Sequence, residues 1–210
     1  MNFPIDTMDT GQSYKLLASV VVPRPIALVS TLDANGTVNA APFSFFNLLG
    51  SSPPVVALGI TNKDKDTPKD SRANIARTGE FVVNLVHAGL ADAMNTCAIE
   101  FPAGESELDA AHLTAAPSVR VSTPRLAEAR VSLECRLHSI VEIGDNRIVL
   151  GEVVFLHIDD EFVDSEKNHV KAEALELIGR MHGGGWYVHT TDLFDLPRPN
   201  YANWLAKEKE

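Results

Sequence analysis

Positive charge is scarce in this chain, which carries 18 Lys and Arg against 28 Asp and Glu, for a formal net charge of −10. That balance argues against nonspecific binding to nucleic acid or to a membrane surface. It also means that an anionic ligand needs a local basic pocket, for which Lys69 and Arg72 are the candidates. Cysteine is nearly absent. Cys97 and Cys135 stand in no C-x-x-C or metal-ligand spacing and read as small buried hydrophobes. No run approaches the roughly 20 apolar residues of a membrane span. The N-terminus, MNFPIDTMD, lacks the basic and apolar regions of a signal peptide, so a cytoplasmic protein is expected. G-x-S-x-G, P-loop and H-E-x-x-H motifs are missing too. The histidines at 87, 112, 138, 157, 169, 182 and 189 form no metal-like pair, and Asp159-Asp160-Glu161 reads as a solvated turn. Hydrolase and metal chemistry are therefore set aside.

What is present is mostly strand. At 210 residues the chain is long enough for one domain with a sizeable core. Strand-like runs cover residues 26–31, 38–44, 55–60 and 81–86, and a small polar loop is expected over 44–52. Alternation over 131–143 places Val131, Leu133, Cys135, Leu137, Val141 and Ile143 on one face, with Ser139 the exception. After the turn Gly144-Asp145-Asn146, residues 148–158 return, apolar on both faces over 153–156. A strand of that kind needs a covering layer, for which a second subunit is the expectation. Helical signals mark 71–77, 90–97 and 167–178, whereas 98–123 is irregular and long enough to suggest an insertion with its own role. Within it, SELDAAHL predicts a short helix over the site. Residues 1–18 read as an arm with Leu16-Leu17 for docking. The tail 191–210 carries Phe194, Tyr201 and Trp204 to pack on a neighbouring surface.

Two segments carry chemistry. Lys69-Asp70-Ser71 opens a helix that closes near Gly79. Asp70 or Ser71 reads as an ordinary N-cap. The same helix start, with a lysine and a hydroxyl beside it, reads equally as an anion site. The other segment is Asn39-Ala40-Ala41-Pro42-Phe43-Ser44-Phe45-Phe46-Asn47. Its alanines permit close approach of a flat ring, and Ser44 and Asn47 can aim polar atoms at it. By composition it is also an ordinary strand and turn. Together the two segments suggest a flavin mononucleotide (FMN) site.

From about residue 19 to 187 the chain resembles the flavin reductase-like proteins of the FMN-binding split-barrel fold. The resemblance is carried, in order, by PRPIALVST, the N-AAPFSFFN segment, the Pro-Pro before the third strand, KDSRANI with TGEFVVNLV, and GRMHGGGWY. It implies a mainly β domain over 19–190, a split β-barrel working as a homodimer with the 191–210 tail packed on the dimer. The resemblance places Ala41, Pro42, Phe43, Ser44 and Asn47 against the flavin, and Lys69 and Ser71 on its phosphate; Ser71 stands where threonine is common. An upstream Lys65-Asp66-Thr67 copies the motif and leaves Thr67 able to share the phosphate. Asn74-Ile75, at the family's distance, favours Lys69. Ser30 and Thr31 are candidates for the ribityl chain or phosphate, and Arg24 reads equally as a surface charge or a flavin neighbour. Arg180 and His182, in the late glycine-rich element, complete the set; no catalytic acid, base or metal ligand is expected. The implied activity is hydride transfer from NADH or NADPH through bound or exchanged FMN, with a protein electron acceptor or monooxygenase as a possible partner. A non-enzymatic, flavoredoxin-like electron carrier is the alternative, and a barrel that has lost its flavin is a further one.

Overall fold

The computed structural model describes residues 1–64, 67–102, 105–201 and 204–205. Seven strands form one antiparallel sheet: β1 (Ala27–Leu32), β2 (Val38–Phe43), β3 (Phe46–Ser51), β4 (Pro54–Gly59), β5 (Glu80–Leu85), β6 (Val131–Ile143) and β7 (Asn146–Ile158). Their spatial order is β2-β1-β5-β6-β7-β4-β3. The edge strands β2 and β3 are consecutive in the chain, joined only by Ser44 and Phe45. Edges so tethered force the sheet to curl, giving a barrel split between β2 and β3.

Burial follows from that curl. Ala27 and Val29 of β1 join the barrel core with Phe43, Val56, Leu58, Phe81, Val83, Cys135 and Val149. The alternate residues Ile26 and Leu28 pack in a second core with Leu90, Met94, Leu108 and Leu113. One strand thus serves two cores, which explains its unbroken apolar run.

Helices accompany the sheet. α1 (Thr10–Val20) is capped by Asp9, whose carboxylate accepts from the Gly11 and Gln12 N–H groups. It buries no residue, so the expected arm is largely a surface helix. α2 (Asp70–Thr78) ends on Gly79 in the left-handed region, where the Gly79 N–H donates to the Ile75 carbonyl. Ile75 enters the barrel core, and Asn74 Nδ2 donates to Thr31 Oγ1 at 3.1 Å. α3 (Ala91–Thr96) and α4 (Glu107–Ala111) cover the second core, α4 lying in the expected insertion. Glu134 of β6, fully buried, anchors that insertion by accepting from the Val119, Arg120 and Val121 N–H groups at 2.7, 2.6 and 3.1 Å.

Three expectations need correction. Residues 44–52 are not a loop: β3 pairs with β4, Asn47 opposite Ala57, and as an exposed edge strand it shows no apolar alternation. The helix expected over 167–178 is absent because Asn168 and Glu176 adopt positive φ, of 49° and 50°. Short strand and 3₁₀ segments precede β8 (Ile178–Arg180), which pairs with β9 (Tyr187–His189). In β6 the alternation holds only to Leu137. The register shift opposite Leu150 and Gly151 skips His138, so Ile140 rather than Val141 reaches the core.

The same bulge depends on Gly151. A Cβ there would run into Cζ of Phe81, one of the largest fully buried side chains. Gly151→Ala is expected to cost about 1–3 kcal/mol of stability. Urea unfolding measures this, and adding Phe81→Leu should make the glycine replacement less costly than it is alone.

Candidate flavin site

At the start of α2 the backbone departs from the capped helix that the sequence suggests. The N-cap is Lys69, and no side chain caps the helix. Asp70 turns away to pair with Lys63 at 2.7 Å, a bond that holds the Lys63 ammonium above its ordinary pKa. The first N–H groups of α2 therefore remain without a side-chain acceptor, at the positive end of a helix. Lys69 makes no ion pair among the described residues; its ammonium lies 6.0 Å from the Phe43 ring centre. Arg72 adds a buried Nε without a hydrogen-bond partner.

Lys69 and the start of α2 border a cavity of about 170 Å³ lined also by Ala41, Pro42, Phe43 and Ser71. Its far wall comes from the insertion and α3: Cys97, Ile99, Phe101 and Glu107. The volume is below the ~300 Å³ at the lower end of small-molecule sites. It suits one end of a nucleotide rather than a whole flavin. The donor set fits a phosphate monoester, since an ammonium, a hydroxyl and open helix N–H groups converge where no other anion neutralises Lys69.

The remaining candidates lie elsewhere. Ser44 and Asn47 line a second cleft of about 470 Å³ with Arg24, Phe45 and Ile143. Arg24 is not a surface charge: it is 7% exposed, and what it shows lies in the wall of this cleft. Its guanidinium donates to the Ala18 and Val21 carbonyls at 2.6 and 3.0 Å, to the Met181 carbonyl at 3.2 Å and to Ser44 Oγ at 3.3 Å. Ser30 and Thr31 are fully buried and spend their hydroxyls inside the protein. Ser30 Oγ donates to the Pro124 carbonyl, and Thr31 Oγ1 accepts from Asn74. The Thr67 N–H donates to the Asp64 carboxylate in the turn before α2, while Lys65 and Asp66 fall outside the described residues. Arg180 donates to the Gly183 carbonyl and lies over the Tyr187 ring, and His182 stacks on Trp186 within the same glycine-rich turn.

Sequence reasoning passed over three residues of the Lys69 cavity: Asn39, Lys63 and Glu107. Asn39 sat inside the quoted motif, Glu107 lay in the SELDAAHL helix expected over the site without being singled out, and Lys63 carried no local signal. Glu107 is 8% exposed, and burial pushes its carboxyl above the ordinary range although the Ala40 N–H donates to it at 2.9 Å. Cys97, also buried, has its thiol pushed up to about 12 by burial and is inert at neutral pH. Cys135 is likewise buried and free, as expected of both.

The split barrel agrees with the comparisons. Residues 19–174 match the family described as flavin reductase like domain. A protein of Deinococcus radiodurans is 47% identical over 208 residues, covering 97% of this chain and 92% of the other. The crystal structure of a 2-nitrobenzoate 2-nitroreductase from Pseudomonas fluorescens superposes with a TM-score of 0.87 at 33% identity, covering 96% of this chain and 98% of that one. Nitrilotriacetate monooxygenase component B from Bacillus cereus also superposes at 0.87, with 29% identity and coverage of 93% and 98%. The chain belongs to the flavin reductase-like family, and that membership supports an oxidoreductase with a flavin cofactor. No described helix is long and apolar enough to cross a membrane.

Proposed function

We propose that this protein is an FMN-dependent oxidoreductase that takes its electrons from NADH or NADPH. The observation that carries the reading is the uncapped start of α2, where Lys69, Ser71 and open N–H groups meet beside Ala41-Pro42-Phe43. Lys69 and Ser71 hold the phosphate, and the β2 segment from Ala41 to Phe43 confines the cofactor on one side. FMN, when bound, supplies the hydride-accepting ring. The residues of this chain orient it and none is needed as an acid or base for that transfer. Likeness to a monooxygenase component and to a nitroreductase supports two outlets for those electrons, an acceptor protein such as a monooxygenase or an organic substrate reduced directly.

The protein also works as a homodimer in this reading. An apolar groove of about 540 Å³ includes Pro23, Phe46, Leu48, Pro54, Val153 and Leu156. Leu48 and Leu156 are 60% and 51% exposed, and the tail adds exposed Phe194, Leu196 and Tyr201. So much exposed apolar surface favours a second copy as the cover of the groove, with the tail packed across it.

Loaded with FMN and desalted, the protein should keep a visible flavin band that bleaches within seconds of anaerobic NADH or NADPH addition. A retained band that stays unbleached would instead favour the flavoredoxin-like carrier, reduced by a partner protein. Lys69→Ala should weaken FMN binding ten- to hundredfold, for a lost charge-assisted contact of about 1.5–3 kcal/mol. Unchanged affinity in a fluorescence titration removes Lys69 from the site. Sedimentation at micromolar concentration should give a dimer, and a monomer there refutes the second-copy assignment.

A further inference from the structure

Glu107, Asn39 and Ser71 form a row that ends at the proposed phosphate position, and the row can be polarised in two directions. With the Asn39 amide placed one way, Nδ2 donates to Glu107 Oε1 at 3.2 Å while Oδ1 accepts from Ser71 Oγ at 3.1 Å and from the Ala40 N–H at 3.2 Å. In this direction the one proton of the Ser71 hydroxyl is committed to Asn39, so the hydroxyl offers an incoming phosphate only lone pairs. With the amide turned by half a rotation, Nδ2 donates to Ser71 Oγ at 3.1 Å and the Ser71 proton is released toward the cavity. Oδ1 then faces Glu107 Oε1, and two acceptors can meet only if one of them carries a proton. Glu107 is the group able to carry it, and its other oxygen keeps the bond from the Ala40 N–H.

We propose that Glu107 is a positioning residue for the cofactor phosphate: its protonation reverses the Glu107–Asn39–Ser71 row and turns Ser71 into a phosphate donor. The inference rests on the FMN reading above. The ionised direction is the resting one, because the turned amide brings Nδ2 to 3.2 Å from the Ala40 nitrogen, donor against donor. Phosphate binding compensates that contact and draws one proton from solvent onto Glu107. Burial of the carboxyl, which already favours its neutral form, acts in the same direction.

The charges around Glu107 act on the same equilibrium. Across the cavity stand Lys63 and Lys69, which favour the carboxylate, and Asp70 and Glu100, which oppose it. Asp33 and Glu105 border the adjoining cleft and also oppose it, and Asp109 lies on the helix of Glu107 itself. The Cys97 thiol, at the end of α3, is neutral.

The sign is distinctive. FMN affinity should fall by up to about tenfold per pH unit as pH rises through the Glu107 titration, the slope set by the uptake of one proton. The second ionisation of the phosphate itself, near pH 6, would have the opposite effect, because the dianion is the better ligand for Lys69. Glu107→Gln mimics the protonated acid, its amide nitrogen donating to Asn39 Oδ1 and its oxygen accepting from Ala40.

The test is calorimetric titration with FMN at pH 7–8 in buffers of different ionisation enthalpy. Riboflavin, which has no phosphate, is the comparison ligand. Wild-type protein should take up close to one proton with FMN and none with riboflavin, and Glu107→Gln should bind FMN without uptake and with an affinity that does not fall with pH. Equal uptake with the two ligands, no uptake with FMN, or the same uptake in Glu107→Gln overturns the row while leaving the FMN reading intact. The riboflavin comparison decides this on wild-type protein alone, should the variant not fold. Absence of FMN binding at any pH overturns both.

Discussion

The tether between β2 and β3 is the constraint on which the rest of this structure depends. Ser44 and Phe45 span the two edges of a seven-stranded sheet, so the sheet cannot lie open. Arg24 reinforces the corner through Ser44 Oγ and three backbone carbonyls, and the Phe45 carbonyl accepts from the Gly59 N–H at 2.7 Å. Curling makes an inner core of Phe43, Leu58, Phe81 and Val149 and leaves an outer face of β1 for α3, α4 and the insertion to cover. It also places the chemistry. The end of β2 is brought beside the start of α2, so Ala41 to Phe43 and Lys69 to Ser71 share one cavity although some thirty residues separate them.

Two buried carboxylates show how the protein assigns different states to the same side chain. Burial acts on Glu134 as well, and alone would raise its pKa. The Val119 and Arg120 N–H groups together with His157, 2.6 Å away, outweigh that burial and hold the carboxyl below its ordinary value. Stability from Glu134 is therefore present above the unfolded glutamate pKa of about 4.3 and is lost as pH falls through the lower folded value. Glu107 receives the Ala40 N–H with too little other compensation, burial dominates, and its shift is upward. Stability linked to Glu107 runs the opposite way, greatest when the acid is neutral and lost as pH rises through its folded pKa. One anchors a loop; the other stands at the edge of the Lys69 cavity.

Much of the barrel was legible because strand patterns are local. Residues 26–31, 38–44, 55–60 and 81–86 became β1, β2, β4 and β5 within a residue or so at each end, and 131–143 matched β6 in full. The misses share a cause in pairing. β3 is a strand only because β4 lies beside it, and Ile140 replaces Val141 in the core only because His138 is skipped opposite β7. The expected helix at 167–178 had helical composition, but left-handed turns at Asn168 and Glu176 interrupt it. The same limits apply to the site. The Lys69-Asp70-Ser71 motif and the Ala41–Phe43 segment were visible as residue types at fixed spacing, whereas Glu107 contributes through a contact with β2 that no periodicity encodes.

Composition and pattern alone determined an acidic, mainly β chain, the order of its strands along the sequence, and a lysine with a hydroxyl at a helix start. Family resemblance, carried by motifs at family spacing, added the flavin. Only the tertiary structure decided that Asp70 leaves the helix uncapped by pairing with Lys63. It also decided that Ser30 and Thr31 are spent internally, that Arg24 is a buried clamp, and that Glu107 faces Asn39. The division has a physical reason. Backbone propensity and apolar period act over a few neighbouring residues, whereas burial, hydrogen-bond partnership and the protonation they impose depend on what the fold brings near.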